Sequence, residues 1–127
     1  MGGGVGTAAY DAGVTDCLFC KIVAGEIPAK IVDDAGRTLA FADIEPQAPT
    51  HVLVVTKDHH PSAAAAAAAD PALLGEIVAT AHRVAAAAGI AESGYRLVFN
   101  TGPDANQTVP HVHCHVLGGR AMTWPPG

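Results

Sequence analysis

With 127 residues, half of them hydrophobic, and a net charge of −5, the chain fits one domain with a real but shallow core built on Leu, Ile and Val. The acidic balance argues against a sequence-independent nucleic-acid binder, which needs a basic surface to displace counterions from phosphates. No run approaches the ~18–20 apolar residues of a membrane span, so neither nucleic acid nor membrane is expected as a partner.

Residues 1–14 read as a disordered Gly-rich tail ahead of a single domain over 15–127. Met1 to Gly6 has neither the basic nor the apolar region of a secretory signal. A cytoplasmic chain is therefore expected, where disulfides are rare and three cysteines serve as metal ligands or packing. Asp16 to Val23 predicts a short helix with Asp16 as its cap, broken by Gly25 to Pro28. Ile31 to Asp33 and Thr38 to Ala42 predict a hairpin turning through Asp34, Ala35 and Gly36. His51 to Thr56 is a β-branched run and a central strand. Seven alanines, 63–69, predict a short, weakly packed helix capped by Ser62. Asp70 as N-cap and Pro71 at the first position open the main helix. Its apolar face is Leu74, Ile77, Val78, Ala81, Val84, Ala85 and Ala88, and Gly89 ends it. Tyr95 to Phe99 and His111 to Leu117 are the last two strands. Five strands with hairpin-type links and one long helix predict an α+β fold on an antiparallel sheet.

The last strand carries the chemistry. In His111-Val112-His113-Cys114-His115-Val116-Leu117, the period of two puts all three imidazoles on one face, ~7 Å apart along the strand. Each neutral imidazole needs both a donor and an acceptor partner, so packing alone does not explain three of them. A solvated edge strand, a metal site, or nucleophilic and acid–base chemistry on a phosphate all remain open at this point. Cys17-Leu18-Phe19-Cys20 is a second signal. Its two-residue spacer suits a metal knuckle or a redox pair, and the lack of a preceding strand in a βαβ unit favours metal.

These residues, with Glu26 to Ile31, Ala40 to Ile44, Pro46 to His51, Gly94 to Arg96 and the ending His115 to Arg120 followed by Trp124-Pro125-Pro126-Gly127, resemble the histidine triad family. The resemblance runs from Thr15 to Gly127 and is closest to the family's nucleotide-binding (Hint) branch. It implies a five-stranded sheet joined to a second copy across a homodimer. It also implies a catalytic set of His113, His115, His51 and Thr108. His113 is the nucleophile that attacks the α-phosphorus of a nucleotide and forms a phosphohistidine. His115 contacts a phosphate oxygen or the leaving group, His51 tunes the cluster, and Thr108 stands where a serine is common. Leu18, Phe19, Ile22, Ile27 and Phe41, with Ile44 and Val109 beside them, form an apolar wall flanking a purine. Asp43 accepts the ribose hydroxyls, and Asn100 suits the phosphate or leaving group. Gln107 and Thr108 offer backbone N–H groups to an anion, and Trp124 reaches the partner's site.

By the same resemblance Cys17, Cys20, His59 and His111 form a structural zinc site, His59 being preferred to His60, and no organic cofactor is implied. The implied function is hydrolysis of purine nucleoside phosphoramidates or acyl-adenylates, releasing AMP or GMP. A dinucleoside polyphosphate hydrolase and a non-catalytic nucleotide-binding module are the alternatives. Two departures bear on the loop before the last strand. Ala105-Asn106 replaces a Gly-Gly common there, and Asn tolerates positive φ where Ala does not. Pro110 replaces an aromatic and is expected to remove a strand N–H.

Overall fold

The computed structural model describes residues 16–127, so the tail expected over 1–14 lies outside the described residues. The elements are α1 (Leu18–Val23), β1 (Ile31–Ala35), β2 (Thr38–Ala42), β3 (Thr50–Thr56), α2 (Ala63–Ala69), α3 (Pro71–Ala87), β4 (Tyr95–Phe99) and β5 (His113–Gly118). The strands form one sheet in the order β1-β2-β3-β5-β4, every pair antiparallel. This is the expected α+β architecture.

Local chemistry sets most boundaries. Ser62 Oγ accepts from Ala65 N–H and Asp70 Oδ1 from Ala72 N–H, each 3.1 Å away, so both expected caps form. Past Ala88, Gly89 takes φ +77°, with Ile90 N–H donating to Ala85 O and Gly89 N–H to Ala86 O. That double bond closes α3. Four expectations shift. Cys17 caps α1 in place of Asp16, its sulfur accepting from Cys20 N–H. β1 runs on to Ala35, so the first hairpin turns at Gly36-Arg37, where Gly36 has φ +57°. On α3 the buried stripe includes Leu73 and Thr80, while Leu74 packs at its margin and Val78 and Ala88 are exposed. Ala66 in α2 is fully buried, so one face of the alanine helix packs better than expected.

The last strand also starts later than its histidine pattern suggests. His111 N–H turns back to Val109 O at 2.8 Å, and Val112 N–H goes to His60 O at 2.7 Å. The ladder therefore begins at His113, and Pro110 lies ahead of it, where its missing N–H costs no sheet bond.

Alternation along β3 and β5 divides the protein into two apolar faces. Val52, Val54, Val112, Cys114 and Val116 pack against Ile77, Ala81 and Val84 of α3. On the other face, Leu39, Phe41, Leu53 and Val55 pack with Cys17 and Phe19 of the α1 region. His113 pairs with Val55 and His115 with Leu53 across the strands, so both imidazoles project onto this second face. After β5 the chain passes tightly over its neighbours. A Cβ at Gly119 would lie 2.9 Å from Pro49 Cβ at a φ of +90°, a combination that favours glycine. No helix among the described residues is long and apolar enough to cross a membrane.

Candidate active site and metal centre

On the face away from α3, a cleft of about 340 Å³ opens between α1, β2 and the histidine strand. Leu18, Phe19, Ile22, Ile27 and Phe41 give it an apolar wall. Asp43, Ile44, Thr108, Val109, His113 and His115 also line it. Sequence reasoning missed Leu53, which supplies apolar surface opposite His115 because of the β3–β5 register. It also missed Glu45, an exposed acid in a turn that carries no sequence signal of its own. Among the lining residues there is no Lys or Arg.

The hydrogen bonds fix every tautomer in the cluster. Gln47 N–H can only donate, and it donates to His51 Nδ1 at 3.0 Å. The His51 proton therefore sits on Nε2 and is donated to His115 Nδ1, 2.9 Å away. His115 must then carry its own proton on Nε2. A carbonyl can only accept, and His111 O lies 2.7 Å from His113 Nδ1. His113 thus holds its proton on Nδ1 and keeps the Nε2 lone pair. Asp43 Oδ2 lies 3.4 Å from His51 Nε2, while its Oδ1 accepts from Glu45 N–H at 2.8 Å.

Burial sets the charge state. Desolvation lowers the pKa of His51, His113 and His115 below the ordinary imidazole value, and the Asp43 carboxylate partly opposes this in each. For His115 the result is about 4, the neighbouring His113 and His51 adding to the effect of burial. Three neutral imidazoles at neutral pH give one lone pair and one N–H donor for use on a ligand.

Three expected ligand contacts lie outside the cleft lining. Asn100 follows β4, whose register with β5 brings it to the level of His113, but it is not among the lining residues. Gln107 is a loop brace. Its Nε2 donates to Pro61 O and Val109 O, its Oε1 accepts from Gly102 N–H, and its backbone N–H donates to Gly102 O. No free donor remains there for an anion. Asn106 does adopt φ +63°, the left-handed conformation that the departure from Gly-Gly anticipates. Trp124 is 82% exposed, on a tail tied to β4 by Arg96 Nη2 donating to Thr123 O at 2.9 Å.

A second cluster lies beside the triad. The ligand atoms of Cys17, Cys20, His59 and His111 all fall within 4.8 Å of one another. Cys17 Sγ is 3.3 Å from His111 Nδ1, and Cys20 Sγ is 3.3 Å from His59 Nδ1 and 3.5 Å from His111 Nδ1. Tetrahedral zinc with bonds of about 2.0–2.3 Å needs ligand–ligand edges of roughly 3.3–3.8 Å, so the spacing fits. The tautomer fits too. His111 Nε2 donates to Thr56 O at 2.7 Å, which orients the ring and leaves Nδ1 for the sulfurs. His60 contributes only its carbonyl, to Val112 N–H. Four ligand atoms this close favour the metal reading of the cysteine pair over the redox one.

Residues 24–122 match the HIT domain family. A 14 kDa zinc-binding protein of Zea mays is 46% identical over 87% of this chain and 87% of its own length. Adenylylsulfatase HINT1 of Arabidopsis thaliana is 43% identical over 87% of this chain and 76% of its own. The crystal structure of a HIT family hydrolase from Legionella pneumophila superposes with a TM-score of 0.84 at 51% identity, covering 88% of this chain and all of that one. The chain belongs to the histidine triad (HIT) family.

Proposed function

We propose that this HIT protein is a homodimeric hydrolase that cleaves purine nucleoside phosphoramidates and adenylate mixed anhydrides through a phosphohistidine on His113. The observation that carries the reading is the 2.7 Å bond from His113 Nδ1–H to His111 O, which leaves Nε2 as a neutral nucleophile on a cleft-lining residue. Its lone pair attacks the α-phosphorus. The leaving group takes the electron pair of the broken bond, an amine with a proton from solvent, a carboxylate or sulfate without one. The His111 carbonyl stabilises the positive charge that then spreads over the ring. Water next attacks phosphorus, the P–N pair returns to Nε2, and the water's proton passes to solvent with the monophosphate. His115 Nε2–H donates to a phosphate oxygen, held in that tautomer by His51. Thr108 adds a hydroxyl, and Asp43 faces the ribose while the apolar wall takes the purine.

Charge favours this substrate class over dinucleoside polyphosphates. A cleft lined by Asp43 and Glu45, with no Lys or Arg, suits a phosphate of single charge better than a chain of several. The name of the Arabidopsis relative, an adenylylsulfatase, supports cleavage of a mixed anhydride at the same phosphorus. The second cluster is a structural zinc site held by Cys17, Cys20, His59 and His111, as the donor set and the name of the maize relative support. Zinc there would order the segments that hold it. The test compares kcat/KM for adenosine phosphoramidate, adenylyl sulfate and diadenosine triphosphate. The reading expects the first two to exceed the third by roughly tenfold or more. Preference for the polyphosphate contradicts it, and tight AMP binding without turnover of any of the three makes the protein a binding module.

A further inference from the structure

The metal cluster and the ligand cleft share one short helix. Cys17 caps α1 and Cys20 lies in its first turn, while Leu18, Phe19 and Ile22 of the same six residues line the cleft. A helix of this length has no stability of its own in water, so its position depends on what fastens it. Phe19 is one fastening. Its ring meets Phe41 edge-on at 5.5 Å and His113 at 5.0 Å. The four metal-ligand side chains are the other, joining α1 to the loop after β3 through His59 and to the approach of β5 through His111. His111 also supplies the carbonyl that holds the nucleophile. None of this belongs to the core beneath α3, which packs on the opposite face of the sheet.

We infer that the Cys₂His₂ centre is the clamp that assembles the ligand cleft, so that metal loading fixes the α1 wall and sets the affinity for a nucleoside monophosphate. The inference rests on the reading of that centre as a metal site and of the cleft as a nucleotide site. Without metal, α1 keeps only the packing of Cys17 and Phe19, with Ile22 and Val23 at its edge, and weak thiol hydrogen bonds, whereas the sheet and α3 keep their own, larger core. The division predicts a local loosening in place of global unfolding.

The full-length protein is stripped with a chelator, then reloaded with zinc, or with cobalt(II), whose visible absorption reports a tetrahedral S₂N₂ site. Amide hydrogen exchange is followed in residues 17–23 and 71–87, and AMP binding is measured by calorimetry in each state. The expected result is loss of protection in 17–23 with 71–87 unchanged, and a Kd for AMP at least tenfold weaker, both restored by metal. Unchanged α1 protection and AMP affinity in a chain that takes up cobalt overturns this inference alone. A chain that takes up no cobalt overturns the metal reading, and this inference with it. Binding of AMP in neither state overturns the nucleotide reading, and the proposed link to affinity falls too. Loss of protection in 71–87 together with 17–23 assigns the metal to the whole fold and likewise overturns the clamp. Cys20→Ser, at a half-buried position, is expected to reproduce the stripped state without chelator.

Discussion

His113 donates its Nδ1–H to the backbone carbonyl of His111, 2.7 Å away, while the ring of His111 turns its own Nδ1 toward Cys17 and Cys20. One residue thus faces two chemistries, with its main chain on the proposed nucleophile and its side chain in the proposed metal cluster. A carbonyl accepts and never donates, so it enforces a single tautomer of His113 at any pH where the ring is neutral. A side-chain acceptor could rotate or titrate away; this one cannot.

The first expectation concerns that nucleophile. His113→Ala is expected to lower kcat by at least roughly three orders of magnitude, because the covalent route is lost. The AMP dissociation constant is expected to stay within about threefold, since Asp43 stays in place and Phe19 keeps its edge-on contact with Phe41. Turnover and calorimetry on the same preparation check both, and near wild-type turnover rejects the assignment.

Acid sensitivity follows from His115. Burial, with its histidine neighbours, brings its folded pKa down to about 4 from the ordinary 6.5. The unfolded chain therefore binds the proton first as pH falls. The stability that this group gives is present above pH 6.5 and is lost as pH falls toward about 4, where the folded ring also titrates. Denaturant unfolding at pH 7.5, 6 and 5 is expected to show a falling midpoint, and His115→Gln a shallower fall. An identical slope in the variant contradicts the account.

Much of this arrangement is legible in the sequence, and the rest is not for identifiable reasons. The alternation of three histidines with Val112, Cys114 and Val116 gives the functional face, and Asp70-Pro71 and Gly89 give both ends of the long helix, because these signals are local. The start of β5 is not local. It depends on His60 O taking Val112 N–H, a contact from another part of the chain. Leu53 as cleft wall and the 3.4 Å approach of Asp43 to His51 need strand register and tertiary placement that no periodicity carries. Gln107 shows the opposite failure. Its backbone N–H suits an anion by type, but it donates to Gly102 O within the loop.

The loop that carries Thr108 depends on Asn106 at φ +63°. Asn106→Ala is expected to cost about 1 kcal/mol, because the left-handed region is less accessible to Ala than to Asn. Asn106→Gly is expected to be close to neutral. Urea unfolding of both variants checks the pair, and equal stability of the two would show that backbone strain is not what selects Asn.

Trp124 is 82% exposed in the single chain, a large apolar surface left in water. Truncation after Met122 is expected to leave the proposed homodimer intact by light scattering. It is also expected to change the relative kcat/KM of phosphoramidates that differ only in the leaving amine. Unchanged ratios would make the tail structural.

The central claim is a covalent intermediate on His113, and the stereochemical course at phosphorus tests it most directly. An adenosine phosphoramidate made chiral at phosphorus with sulfur is hydrolysed in ¹⁸O-water, and the configuration of the product is determined. Two in-line displacements, at Nε2 and then by water, predict net retention. Net inversion would mean that water attacks the substrate directly, and would contradict the account.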